Sequence, residues 1–221
     1  MRNKKYKPIM SKRIKPNPFS KAENQCRYTP PQNLANIEEK FVKYKYAQQL
    51  ADDIKIARGQ KVTVIANGSF IFGDFIEAFI LKHKIKCKKM VICTLSYNQN
   101  NVDSLKNLMQ YEWIDDLEII TSGYFYRTEK LKGRLVEYTY KQLDSGKNNF
   151  QLSFIETHMK VALIETYNGS FIVMQGSANL RSCQSVEQFS IEENKELHAF
   201  YKDYFNEVSN KNKTINKYIK N

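Results

Sequence analysis

From Thr157 to Phe189 the chain reads "THMKVALIETYNGSFIVMQGSANLRSCQSVEQF". Two apolar runs, "KVALIE" (160–165) and "SFIVMQGS" (170–177), are separated only by "TYNG" (166–169). Asn168-Gly169 is the strongest short hairpin signal, because a type I′ turn needs φ > 0 at both central residues. The stretch therefore predicts two antiparallel strands. Polar groups stand at their ends: His158 and Lys160 at the mouth of the first, Gly176, Ser177 and Asn179 at the end of the second, and Glu187 beyond.

Upstream of this hairpin the period alternates between two and 3.6. Residues 34–58 suit a helix, with Ile37, Phe41, Tyr44, Leu50 and Ile54 near helical spacing and Gly59 placed as its stop. Strands are predicted in "KVTVIANG" (61–68), "KKMVICTLS" (88–96), "LEIITSGYF" (117–125) and "NFQLSFIE" (149–156). Helices are predicted between them in "GDFIEAFILKHK" (73–84), "NNVDSLKNLMQ" (100–110) and, through Gly133, "TEKLKGRLVEYTYKQL" (128–143). A last amphipathic helix follows in "NKELHAFYKDYFNEV" (194–208). Strands apolar on both faces and alternating with helices predict an α/β fold. Its central sheet is mostly parallel, with helices on both faces, and a C-terminal β-hairpin closes it. The expected organisation is a basic arm over 1–32, one α/β domain over 33–208 and a basic tail over 209–221. The arm holds all 5 prolines, which disfavour helix and sheet.

The chain has 221 residues, and Lys plus Arg exceed Asp plus Glu by 35 − 23 = 12. That excess concerns partners more than fold, and nucleic acid is the polyanion it suits best. A Lys-rich solvated surface is the plainer reading of the same charge. The 4 cysteines, Cys26, Cys87, Cys93 and Cys183, form no CxxC and no ligand-like pairing with the 3 histidines. They are expected as free thiols in a cytoplasmic setting, with no metal site and no cofactor. No apolar run is long enough for a membrane span, and the basic N-terminus lacks the apolar stretch of a secretory signal.

His158-Met159-Lys160, Gly176-Ser177-Ala178-Asn179 and Glu187 together resemble the H-x-K … G-S-x-N motif of the phospholipase D superfamily. Either element alone occurs by chance; the pair on one hairpin, preceded by that run of strands and helices, is far more specific. The motif covers about 154–191 and the topology about 60–208. The resemblance implies a phospholipase D-like half-site fold and phosphodiester cleavage without metal. In that scheme His158 is the nucleophile, forming a phosphohistidine, or the acid for the leaving group when it serves the other half-site. Lys160 is implied to hold a phosphoryl oxygen as a point charge. Ser177 and Asn179 are implied to donate hydrogen bonds to the phosphate, Gly176 to permit close backbone approach, and Glu187 to orient the imidazole. Glu165 stands where the family usually has a supporting Asp, and Thr166 to Gln175 is a longer intervening stretch than the usual pattern. The hairpin turn absorbs that extra length.

The motif occurs once, whereas the family's site needs two copies face to face. The resemblance therefore implies a homodimer with the site on its two-fold axis. The function so implied is a DNA or RNA nuclease. The alternatives are a catalytically inactive nucleic-acid-binding module on the same fold and a lipid-directed phospholipase D. His83 is expected in a solvated basic segment and His198 as a structural residue of the last helix.

Overall fold

The computed structural model of the chain describes residues 37–38, 47–66, 70–132, 134–147, 149–181 and 186–215. The arm expected over 1–32, Cys26, Cys183 and the end of the basic tail lie outside them. Nine strands alternate with six helices among the described residues: β1 (Ile37–Glu38), α1 (Ala47–Asp53), β2 (Lys61–Ala66), α2 (Phe72–Lys82), β3 (Cys87–Thr94), α3 (Gln99–Gln110), β4 (Ile114–Ser122), α4 (Gly123–Lys132), α5 (Leu135–Leu143), β5 (Phe150–Ile155), β6 (Val161–Thr166), β7 (Phe171–Gly176), β8 (Glu187–Glu193), α6 (Lys195–Lys211) and β9 (Lys213–Ile215).

Local chemistry fixes several boundaries. In α2 the buried Phe72, Phe75, Ile76, Phe79 and Ile80 follow a helical period, and Asp74 lies in the first turn, where the helix dipole favours it. Asn98 and Asn101 cap α3 reciprocally, each side-chain oxygen accepting the other's backbone N–H at 3.0 Å. The Asn194 side chain accepts from Leu197 N at 3.0 Å and starts α6.

All nine strands form one sheet in the order β1-β2-β8-β7-β6-β3-β4-β5-β9. The fold is α/β with helices on both faces, but its sheet is mixed rather than mostly parallel. β1–β2, β3–β4 and β4–β5 pair in parallel. The five pairings through the hairpin, β8 and β9 are antiparallel. Burial on both faces, which suggested parallel strands, arises for β6 because it lies mid-sheet under helices, whatever its direction.

Three elements differ from the sequence expectation. The helix expected over 34–58 is described only at Ala47–Asp53, and Ile37–Glu38 pairs instead with Lys61–Val62 as an edge strand. The helix expected through Gly133 is broken: α4 ends at Lys132, and α5 starts after Arg134, whose φ of 58° is left-handed and cannot continue a helix. The tail expected from 209 is helical to Lys211, and Lys213–Ile215 then pairs with β5. One strand, β8, was not anticipated at all.

The sheet separates two apolar clusters. Buried residues of α1 to α5 pack on one face with Met90, Ile92, Ile164, Met174, Phe189 and Ile191. On the other face Val91, Cys93, Val161, Leu163 and Val173 pack under Phe205 and Val208 of α6. β8 and β2 lie beyond α6 on that second face. There they present Gln188, Ser190 and Glu192, and Lys61 and Thr63, with Ile65 66% exposed.

Candidate functional site

The hairpin brings the two halves of the motif together. Its turn runs from Thr166 to Gly169, closed by Gly169 N donating to Thr166 O at 3.2 Å. Gly169 takes a φ of 85° without strain, but Asn168 has no positive φ, so the hairpin forms without the type I′ turn expected from Asn168-Gly169. Pairing of Val161 with Gln175 sets the mouth of β6 beside the end of β7. Gly176 N then donates to Lys160 O at 3.1 Å. β8 adds on the other side of β7, with Phe189 opposite Gly176. A Cβ at position 176 would lie 2.1 Å from Gln188 O and 2.5 Å from Phe189 Cα. The glycine is thus required by the approach of β8 itself; the sequence had suggested approach of a ligand.

Ser177 continues the contact. Its N–H donates to Gln188 O at 2.8 Å, its Oγ accepts from Gln188 N at 3.0 Å, and its hydroxyl donates to Glu187 Oε2. Glu187 thereby reaches the motif across the β7–β8 junction. Asn179 is half-buried, and its side-chain oxygen lies 3.5 Å from the Thr94 hydroxyl. That hydroxyl has one proton and a nearer acceptor in Ser96 O at 3.1 Å, while its oxygen accepts from Leu180 N at 3.3 Å. Thr94, the last residue of β3, therefore pins the segment that carries Asn179. Its only mark in the sequence is its place at the end of a buried strand.

His158 and Lys160 precede β6 instead of lying within it. A Thr157 turn places them: Thr157 is 8% exposed, and its hydroxyl accepts from Met159 N at 3.0 Å. His158 is exposed to solvent, and Lys160 is half-buried. The Thr157 hydroxyl also lies 3.9 Å from Cys93 Sγ, beneath the loop. Burial pushes the Cys93 thiol up to about 12, against the opposing pull of the Thr157 hydrogen bond and the Lys160 charge. A thiol held this far from ionisation is not a nucleophile.

Glu165 sits at the turn end of β6, away from Lys160. It is paired with Lys202 of α6 at 2.9 Å and with Lys88 of β3 at 3.0 Å. The Lys202 hydrogen bond, the larger effect, and that of Lys88 hold its carboxyl below the usual range, against its partial burial. It ties α6 and β3 to the hairpin. His198, 3% exposed, stands edge-on to Phe171 at 5.2 Å, and burial pushes its imidazole down to about 4. His83 is not simply solvated as expected: its Nε2 is 2.9 Å from Ala51 O and its ring lies 4.7 Å from Phe79.

An open groove of about 440 Å³ starts at Lys160, on the α6 face of the sheet. It crosses Gln175 and Gly176 of β7 and Gln188 and Ser190 of β8, and ends at Thr63 and Lys61 of β2. Its lining holds two lysines and no carboxylate. Sequence reading gave no notice of Lys61, because nothing in the chain indicates that β2 neighbours β8. No helix among the described residues is long and apolar enough to cross a membrane.

No family model matches this chain, and no curated protein matches it in sequence. Solved structures do match it in fold. The phospholipase D family member Nuc from Salmonella typhimurium is 14% identical, over 71% of this chain and 99% of its own, with a TM-score of 0.48. NucT from Helicobacter pylori is 15% identical over 69% and 98%, with a TM-score of 0.47. Polyphosphate kinase from Porphyromonas gingivalis is 11% identical over 70% of this chain and 26% of its own, with a TM-score of 0.50. At such identities the likeness, carried by the match at a TM-score of 0.50, is one of fold alone: an α/β sheet flanked by helices.

Proposed function

We propose that the chain is a metal-independent phosphodiesterase acting on DNA or RNA, at a site shared between two copies. The observation that carries this reading is the 3.1 Å hydrogen bond from Gly176 N to Lys160 O. It joins His158-x-Lys160 to Gly176-Ser177-x-Asn179 at the mouth of a groove lined by cations and no carboxylate.

In the first step a ring nitrogen of His158 attacks phosphorus. The P–O bond to the leaving group breaks, and the leaving oxygen takes a proton from His158 of the partner subunit. Lys160 and the Asn179 amide stabilise the charge gathering on the phosphoryl oxygens. Water then attacks the phosphohistidine and gives its proton to the partner's His158, releasing a phosphate monoester and restoring His158. The second copy supplies the second histidine, since this chain has one such motif. Ile65 and Val186, 66% and 71% exposed beside the β2–β8 end of the site, are apolar surface that a second copy would cover.

A second reading has one observation in its favour. The Ser177 hydroxyl is committed to Glu187, so in this arrangement it offers no proton to a phosphate. That suits a nucleic-acid-binding module without catalysis. The deciding assay is cleavage of labelled single- and double-stranded DNA and RNA in excess EDTA, with His158→Ala in parallel and the molar mass taken by sedimentation. Cutting that survives EDTA, disappears in His158→Ala and accompanies a dimer is the expected result. Binding without cutting supports the module, and a monomer that cuts would sink the shared site. Neither cutting nor binding, with hydrolysis of phosphatidylcholine vesicles, would make the substrate a lipid.

A further inference from the structure

The groove extends well beyond the motif, and its far end has a built cation. Val161, Gln175, Ser190 and Thr63 are paired in one row across β6, β7, β8 and β2, so their side chains share a face. Three strand spacings of about 4.8 Å separate the ends of that row by about 14 Å. Lys61 lies two residues further along β2, on the same face. It is ion-paired with Glu192 Oε1 at 3.2 Å, and the two side chains are 27% and 5% exposed. That contact lacks hydrogen-bond alignment, so Glu192 Oε1 is buried without a donor, and it fixes the ammonium at the β2 end. Lys61 and Lys160 therefore do not converge on one phosphate.

Between the two lysines the floor is neutral but rich in hydrogen-bonding groups: Gln175, Gln188, Ser190, Thr63 and Tyr201. The Tyr201 hydroxyl donates to Gln175 Oε1, which orients that amide. The larger cavity at the opposite end of the sheet, about 600 Å³, differs in charge: Lys86 and Lys147 are matched there by Glu112 and Asp115. Of the two, the first groove has lysines and no carboxylate on its lining, with the charge of Lys61 offset in part by Glu192 behind it, together with donors and acceptors for base edges. The Watson–Crick edges of the bases are open in an unpaired strand and occupied by pairing in a duplex.

We propose that the groove from Lys160 to Lys61 holds a single strand of nucleic acid, with Lys61 binding a phosphate other than the one cleaved. This rests on the phosphodiesterase reading and adds a strand preference to it. Lys61 is here a binding residue remote from the reacting atoms.

The test is binding of fluorescein-labelled oligothymidylate, and of a duplex of equal length, followed by anisotropy across a salt series. His158→Ala serves as the background so that no strand is cut. The comparison variant adds Lys61→Met together with Glu192→Gln, which leaves no buried carboxylate without its cation; circular dichroism confirms folding, and Lys61→Arg serves as a conservative control. Removing one phosphate contact should flatten the slope of log K against log salt by about 0.7 on the single strand. Affinity should fall several-fold, Lys61→Arg should retain most of it, and duplex binding should stay unchanged. An unchanged single-strand slope would overturn the proposal. Equal loss on both substrates would remove its strand preference, and a fall in molar mass would make the groove a contact between subunits.

Hydrolysis of bis(4-nitrophenyl) phosphate, too short to reach Lys61, separates the two claims. A parent chain that fails to hydrolyse it, or to cut any strand, fails as an enzyme, while the salt series still decides the role of Lys61.

Discussion

Two parts of one sheet face differ in what covers them. Under α6, Val91, Val161, Leu163 and Val173 meet Phe205 and Val208 and make a core. Next to them on the same side, β8 and β2 carry the polar Ser190, Glu192, Thr63 and Lys61, which α6 approaches only through Tyr201 at the groove. The sheet continues, but the core stops. The change lies in every second residue, because the other side of those same strands is apolar throughout: Phe189, Ile191, Val64 and Ala66 belong to the large cluster under α1 to α5. A strand that is apolar on one side and polar on the other has an open side by its own chemistry. The candidate site lies at the boundary, where Lys160 leaves the covered part.

Adjacent residues of β8 give the sharpest way to break this contrast. Phe189 is fully buried, with its ring 4.9 Å from Phe72 and 5.2 Å from Phe75. Phe189→Ala should destabilise the fold by about 3–5 kcal/mol. Gln188→Ala, one residue away and exposed, should stay within about 0.5 kcal/mol. Urea unfolding measures both, and equal losses would mean that the β8–β2 side is covered after all.

A smaller effect is expected at Gly176. Alanine there must push β8 away from β7, at a cost of about 1–3 kcal/mol, and should also lower cleavage, because the same shift moves Ser177 and Glu187. Stability lost with cleavage intact would detach the site from the β7–β8 contact.

The covered part should also be the first to respond to acid. The His198 imidazole titrates at about 4 in the fold against an ordinary 6.5, so the unfolded chain binds the proton more readily. Stability should therefore fall as pH drops from 6.5 towards 4. His198→Gln should flatten that part of the curve. Amide exchange should locate the loosening in α6; loosening confined to β2 and β8 would contradict it.

How much of this was readable in the chain follows from range. α2, α3, β3, β5 and the hairpin were legible because their signals are local: period, caps and Asn168-Gly169. β8 was missed because "EQFSIEE" carries glutamates at both ends. Its alternation of Phe189 and Ile191 with Ser190 and Glu192 was the available signal. It makes sense only once Lys61 from the other end of the chain is known to lie opposite Glu192. The same holds for the site. Lys160 beside Gly176 follows from the hairpin alone. Thr94 beneath Asn179 and Ser177 against Glu187 depend on strand order, which the sequence does not carry. The long helix through Gly133 failed for a reason only half legible: glycine inside a helical pattern costs about 1 kcal/mol against alanine, whereas the left-handed φ of Arg134 is seen only in the structure.

Among the described residues the sheet ends in two-residue β1 on one side and three-residue β9 on the other. Such short borders offer few backbone groups for an incoming strand to pair with. In the described residues such borders work against growth sideways into a ribbon or fibre. Borders of this kind favour association with another copy through side chains, whose shape and charge can discriminate, over the indiscriminate hydrogen bonding of bare main chain.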